Sequence, residues 1–139
     1  MSSQNSTILA IDFGTKKMGI AVGQTITRTA QPLCTLSSPL LNNQWQSFQA
    51  LINEWEPDKV LVGLPYNKAY DDTRTYEAAL AFINEIKLRF NKPIVTIDEH
   101  LTSFAAKQLL LERGYNPKKV SLDAIAAMLI LESWFNTYA

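Results

Sequence analysis

Three apolar, β-rich segments open the chain with no helical pattern between them, and regular alternation of helix and strand begins only afterwards. Ile8 to Phe13 reads ILAIDF, Met18 to Gly23 reads MGIAVG, and Thr27 to Leu36 reads TRTAQPLCTL. Short connections force neighbours of this kind into an antiparallel meander, because a parallel pair needs a long crossover. Pro32 has no N–H to give to a ladder, so the third strand belongs at a sheet edge or carries a bulge there.

The rest of the chain changes period. From about Gln44 to Trp55, the residues Trp45, Phe48, Ile52 and Trp55 fall on one helical face, and Pro57 follows the end. Lys59-Val60-Leu61-Val62-Gly63 is a short apolar run, as expected of a strand buried on both faces. A polar loop then leads into a helix from about Thr73 to Phe90, with Tyr76, Ala79, Leu80, Ile83, Ile86 and Phe90 as its inner stripe. Pro93 precedes a strand at Ile94–Ile97. A helix from about Ser103 to Arg113 ends at Gly114, and a last helix runs from about Ser121 to Phe135. The order βββαβαβαα predicts an α/β fold with a mixed five-stranded sheet, its first three strands antiparallel, and helices on both faces. Residues 1–139 are expected to form a single domain, since 139 residues suit one core.

Such sheets collect ligands at the carboxyl ends of their parallel strands. Three stretches qualify: those after Phe13, after Gly63 and after Ile97. Acids stand at two of them. Asp12 lies at the end of the first strand, where it either bonds the turn around Gly14 or serves a site. Asp98-Glu99 ends another strand; the two point to opposite faces, so one can serve a site while the other solvates or caps. Asp123 begins an almost wholly apolar helix, where the helix dipole alone favours an acid. Together the carboxylates offer oxygen ligands suited to Mg²⁺ or Mn²⁺. Two such ions can clamp the attacking and leaving oxygens of a phosphodiester, with no Ser, Cys or His nucleophile.

Exclusions narrow the field. One cysteine, Cys34, cannot make an internal disulfide, and one histidine, His100, cannot make a multi-histidine metal site. No apolar run approaches the roughly 20 residues of a membrane span, and no signal segment is apparent, so a cytoplasmic location is expected. Gly14-Thr15-Lys16-Lys17 reads equally as a hairpin turn with solvated lysines or as a phosphate contact; it is not a Walker loop. Lys118-Lys119 borders the last helix.

Four segments taken in order resemble the YqgF/RuvX family. Asp12-Phe13-Gly14-Thr15-Lys16-Lys17-Met18-Gly19-Ile20-Ala21 resembles its DFGxKRIGVA opening. Val62-Gly63-Leu64-Pro65-Tyr66-Asn67 resembles VGLPxN, and Asp98-Glu99-His100-Leu101-Thr102-Ser103 resembles DERLTT. Asp123-Ala124-Ile125-Ala126-Ala127, with Leu131-Glu132-Ser133-Trp134, resembles the closing DxxAAxxILExY. The resemblance implies an RNase H-like fold and a nuclease, described for the family both as resolving Holliday junctions and as maturing the 5′ end of pre-16S rRNA. It implies a catalytic, metal-binding set of Asp12, Glu99 and Asp123, with Asp98 a weaker fourth ligand, holding two Mg²⁺ or Mn²⁺ ions. It further implies substrate contacts from Gly14, Thr15, Lys16, Lys17, Asn67, His100 and Thr102. His100 replaces the family's arginine and lacks that residue's permanent charge and phosphate-gripping fork. The glycine usual after VGLPxN is also missing.

The expected partner is nucleic acid: structured RNA first, branched DNA second, with a non-catalytic binding factor as a third reading. No nucleotide cofactor is expected. Asp-Phe-Gly-Thr also resembles the phosphate loop of actin-like ATPases and sugar kinases, but those bind nucleotide between two lobes and this chain holds one. Net charge agrees with a nucleic-acid partner once the site is considered. Thirteen basic residues balance thirteen acids, and setting aside the three site acids leaves the remainder at +3.

Overall fold

The computed structural model describes residues 5–39, 45–65, 73–99, 103–116 and 118–138. Strands β1 (Thr7–Asp12), β2 (Lys17–Gln24) and β3 (Thr29–Ser37) come first. Helix α1 (Gln46–Trp55), β4 (Lys59–Pro65), α2 (Thr73–Phe90), β5 (Ile94–Glu99), α3 (Ser103–Glu112) and α4 (Leu122–Tyr138) follow. The sheet order is β3-β2-β1-β4-β5. The first three strands pair antiparallel, and β1, β4 and β5 run parallel. This is the mixed sheet expected from the element order.

Strand β3 lies at the edge, and its pairing slips where proline requires it. Ile20 faces Cys34 but Ala21 faces Pro32, so Leu33 is the extra residue of a bulge. Strand β4, between β1 and β5, buries Val60, Leu61, Val62 and Leu64, as a strand covered on both faces must.

Alternation sorts the core into two layers. Leu9, Ile11, Met18, Ile20, Val22, Val60, Val62 and Leu64 meet α1 and α2 on one face. There Trp45 stacks on Phe82 with centroids 5.9 Å apart, and Phe13 and Phe48 pack against the same ring of Phe82. The inner stripe of α2 is rotated from the expected one. Phe82 is fully buried, whereas Tyr76 and Leu80 are exposed. The helix turns so that Phe82 reaches the aromatic cluster, which leaves Tyr76 and Leu80 exposed on its flank.

On the opposite face, Ile8, Ala10, Ala21 and Leu61 meet α3 and α4. Helix α4 buries Ala124, Ile125, Ala127, Met128, Ile130, Leu131, Trp134 and Phe135, which explains its nearly continuous apolar sequence. It sits low on β2 because that strand presents only small residues to it: Gly19, Ala21 and Gly23. A Cβ on Gly19 would fall 1.7 Å from the Asp123 carbonyl oxygen, and one on Gly23 would fall 2.7 Å from a Leu131 methyl. Helix α3 closes at Gly114 (φ +77°), where Tyr115 N–H bonds Leu110 O and Gly114 N–H bonds Leu111 O. No helix among the described residues is long and apolar enough to cross a membrane.

Candidate functional site

The carboxyl ends of β1, β4 and β5 lie side by side, and the first turn of α4 sits beside β1, over Gly19 of β2. Asp12 is the last residue of β1 and pairs with Gly19 of β2 on one side and Gly63 of β4 on the other. It continues the alternation of Ile8 and Ala10, the β1 residues of the α4 layer. Asp12 is half-buried. The main chain of Asp123 lies directly on Gly19, the antiparallel partner of Asp12. The fold therefore brings these two acids, far apart in sequence, to one corner of the sheet.

The start of α4 is fixed by side chains other than Asp123. Ser121 is the N-cap: its Oγ accepts the Ala124 N–H at 3.1 Å and shares a hydrogen bond with Thr35 Oγ1 of β3. Ser121 thus performs the capping role, and the Asp123 carboxylate is left for another partner. That partner is Lys17, the first residue of β2, whose Nζ lies 3.3 Å from Asp123 Oδ2.

Across the sheet, Asp12, Gly63 and Ile97 form one register row, and Glu99 lies two residues beyond it on β5. Two strand spacings, about 10 Å, separate β1 from β5. Strand β5 runs through Asp98 and ends at Glu99, so the acid pair closes the strand as expected. Position 98 follows Ile94 and Thr96, is exposed, and belongs to the alternation of the α1/α2 layer.

Gly14 turns the β1–β2 hairpin, where a Cβ would fall 2.1 Å from the Lys17 carbonyl oxygen. Its immediate use is thus the tight turn, and Thr15, Lys16 and Lys17 project from that turn exposed to solvent. Lys118 and Lys119 are exposed in the turn before α4, where Asn116 accepts the N–H of each. Asn67, His100 and Thr102 lie outside the described residues.

Gly19 was not singled out by its sequence for any role in the site beyond its place in the opening motif. The signal was present nonetheless: a glycine inside an apolar strand marks close approach by another backbone.

The donor chemistry suits a hard cation. Asp12 and Asp123 supply oxygen only, and a cationic ammonium already rests against one of them. Among the described residues no group of three His, Cys, Asp or Glu side chains converges on one point.

A five-stranded mixed sheet in this order, with helices on both faces, defines an RNase H-like fold. The fold is that of the Fowlpox virus resolvase in complex with substrate Holliday junction DNA (TM-score 0.61, 15% identity, 94% of this chain and 97% of that one). It is also that of Thermus thermophilus RuvC in complex with a Holliday junction substrate (TM-score 0.59, 15% identity, covering 94% and 93%). The chain belongs to the RuvX (YqgF) family, described as Holliday junction resolvase, which matches residues 6–137. A relative from Haemophilus ducreyi is 45% identical over 94% of this chain and 96% of its own. One from Saccharophagus degradans is 44% identical over 99% and 97%. Both carry the name "putative pre-16S rRNA nuclease".

Proposed function

We propose that this protein is a Mg²⁺- or Mn²⁺-dependent nuclease that hydrolyses phosphodiester bonds in 5′-end processing of pre-16S rRNA. The observation that carries the reading is the meeting of Asp12 and Asp123 through Gly19 at the carboxyl edge of the sheet. Asp12, Asp123 and Glu99 are the acids that hold the ions in this reading. Asp98 is exposed and shares the alternation of the α1/α2 layer, opposite to that of Asp12, which favours Glu99 over Asp98 as the third. A divalent ion held by these acids would supply Lewis acidity at the scissile phosphate and activate water for attack at neutral pH. The protein's part is to hold the acids on rigid strand and helix ends and to present Lys16 and Lys17 to the backbone phosphates. The names of the 44–45% identical relatives support precursor rRNA as substrate.

The family description favours a second reading, the same chemistry on four-way DNA junctions. A resolvase cuts symmetrically and needs two sites, so it should act as a dimer. The deciding experiment sets precursor 16S rRNA beside a four-way junction, with Mg²⁺, Mn²⁺ or chelator, and uses Asp12→Asn as control. Metal-dependent cutting of the RNA that the variant loses is the expected result. Cutting of the junction alone selects the second reading. Binding with no cleavage of either rejects both in favour of a non-catalytic factor.

A further inference from the structure

The pairing of Lys17 with Asp123 has a consequence for how a divalent ion enters the site, and the inference rests on the carboxylate site just proposed. Lys17 is anchored in the sheet through its pairing with Ser37, but its side chain is 66% exposed, against 32% for that of Asp123. Its ammonium stands at the end of a flexible four-carbon stem and can leave without disturbing the strand. Water screens a pair this open, so it strengthens either partner's hold by no more than about two- to fivefold. A divalent ion bound by two or three carboxylate oxygens outcompetes it.

We infer that Lys17 is an exchangeable counter-cation for the metal site. In the metal-free protein it neutralises the Asp123 carboxylate, whose Oδ2 lies 3.3 Å from the ammonium. When a divalent ion takes the carboxylate, the ammonium is released at the mouth of the same site, still charged, and takes a non-bridging phosphate oxygen of the nucleic acid. Lys17 is thus a positioning residue for the metal and a contact for the substrate, in alternation. By linkage, metal and nucleic acid then bind with positive coupling, each strengthening the other by the same factor.

Calorimetric titration of the full chain with MnCl₂ tests the exchange without reference to activity. Lys17→Met should bind Mn²⁺ about two- to fivefold more tightly than wild type at unchanged stoichiometry. Lys17→Arg should stay near wild type, and Lys16→Met, which removes an equal charge from the neighbouring position, should change affinity less than Lys17→Met does. Equal or weaker binding by Lys17→Met overturns the exchange while leaving the carboxylate site intact. Wild-type affinity in both Asp12→Asn and Asp123→Asn overturns the site itself and the exchange with it. Thermal melts of the variants establish that each is folded. A second arm measures a labelled RNA hairpin by anisotropy with and without Ca²⁺. Wild type should gain more affinity from the ion than Lys17→Met, and equal gains overturn the hand-over to phosphate.

Discussion

Replacing Gly19 by alanine should damage stability and catalysis together, because one backbone contact serves both. The added Cβ would stand 1.7 Å from the Asp123 carbonyl oxygen, 2.1 Å from its carbonyl carbon and 2.8 Å from the Ala124 nitrogen. All three are main-chain atoms, so no side chain can rotate away. To restore a 3.0 Å separation the first turn of α4 must retreat by about 1.3 Å. Ser121 opposes that retreat through its bonds to Ala124 and Thr35, and so does the buried run from Ala124 to Phe135. Overpacking against such a constraint costs roughly 1–3 kcal/mol. For a chain of this size that lowers the melting temperature by roughly 3–12 °C. The same retreat carries the Asp123 carboxylate away from Asp12, and a misplacement of about 1 Å lowers turnover by about a hundredfold. Calorimetric melting and metal-dependent cleavage, measured on the same preparation, check both. Gly114→Ala is the control. Its Cβ meets nothing within 4 Å, so its cost, about 1–2 kcal/mol, comes from the left-handed backbone alone and should leave cleavage unchanged. A Gly19→Ala protein that melts and cuts like wild type would refute the claim that α4 is seated on β2 through this residue.

Other consequences are more local. Ser121→Ala removes the N-cap of α4 and its link to β3, and urea denaturation should report a loss of about 0.5–2 kcal/mol. Lys118→Gln combined with Lys119→Gln should weaken RNA binding at low salt. The slope of log K against log salt should become shallower by up to about 1.4 for a single strand, whereas an unchanged slope would remove these lysines from the interface. Burial, with the charge of Glu54 adding to it, pushes the Cys34 thiol above its usual range. Iodoacetamide at pH 8 should therefore modify the native protein more slowly than the urea-unfolded chain. The sign for stability follows: the native state disfavours the thiolate, so this contribution is complete below the ordinary thiol value and is lost as pH rises through the native one.

What the sequence revealed and what it concealed divide along the range of the interactions. The switch of period after Leu36 marked where the meander stops and the crossovers begin, because side-chain alternation is a local property. Pro32 announced an edge strand and a bulge, since a missing N–H needs no distant partner to matter. Phe82 was hidden for the opposite reason. Both Tyr76–Leu80 and Ala79–Phe82 make acceptable apolar stripes, and only the aromatic cluster around Trp45, Phe48 and Phe13 decides which one turns inward. The acids repeat the contrast. Asp12, Asp98, Glu99 and Asp123 could be picked out as acids at strand and helix ends, but each had an adequate local explanation as a cap or turn residue. For Asp123 the local explanation fails in three dimensions: Ser121 takes the capping role, and the acid is drawn over Gly19 to the partner strand of Asp12. A glycine within the second apolar strand thus carries the information that joins two distant carboxylates, because only a residue without a side chain lets the helix come that close.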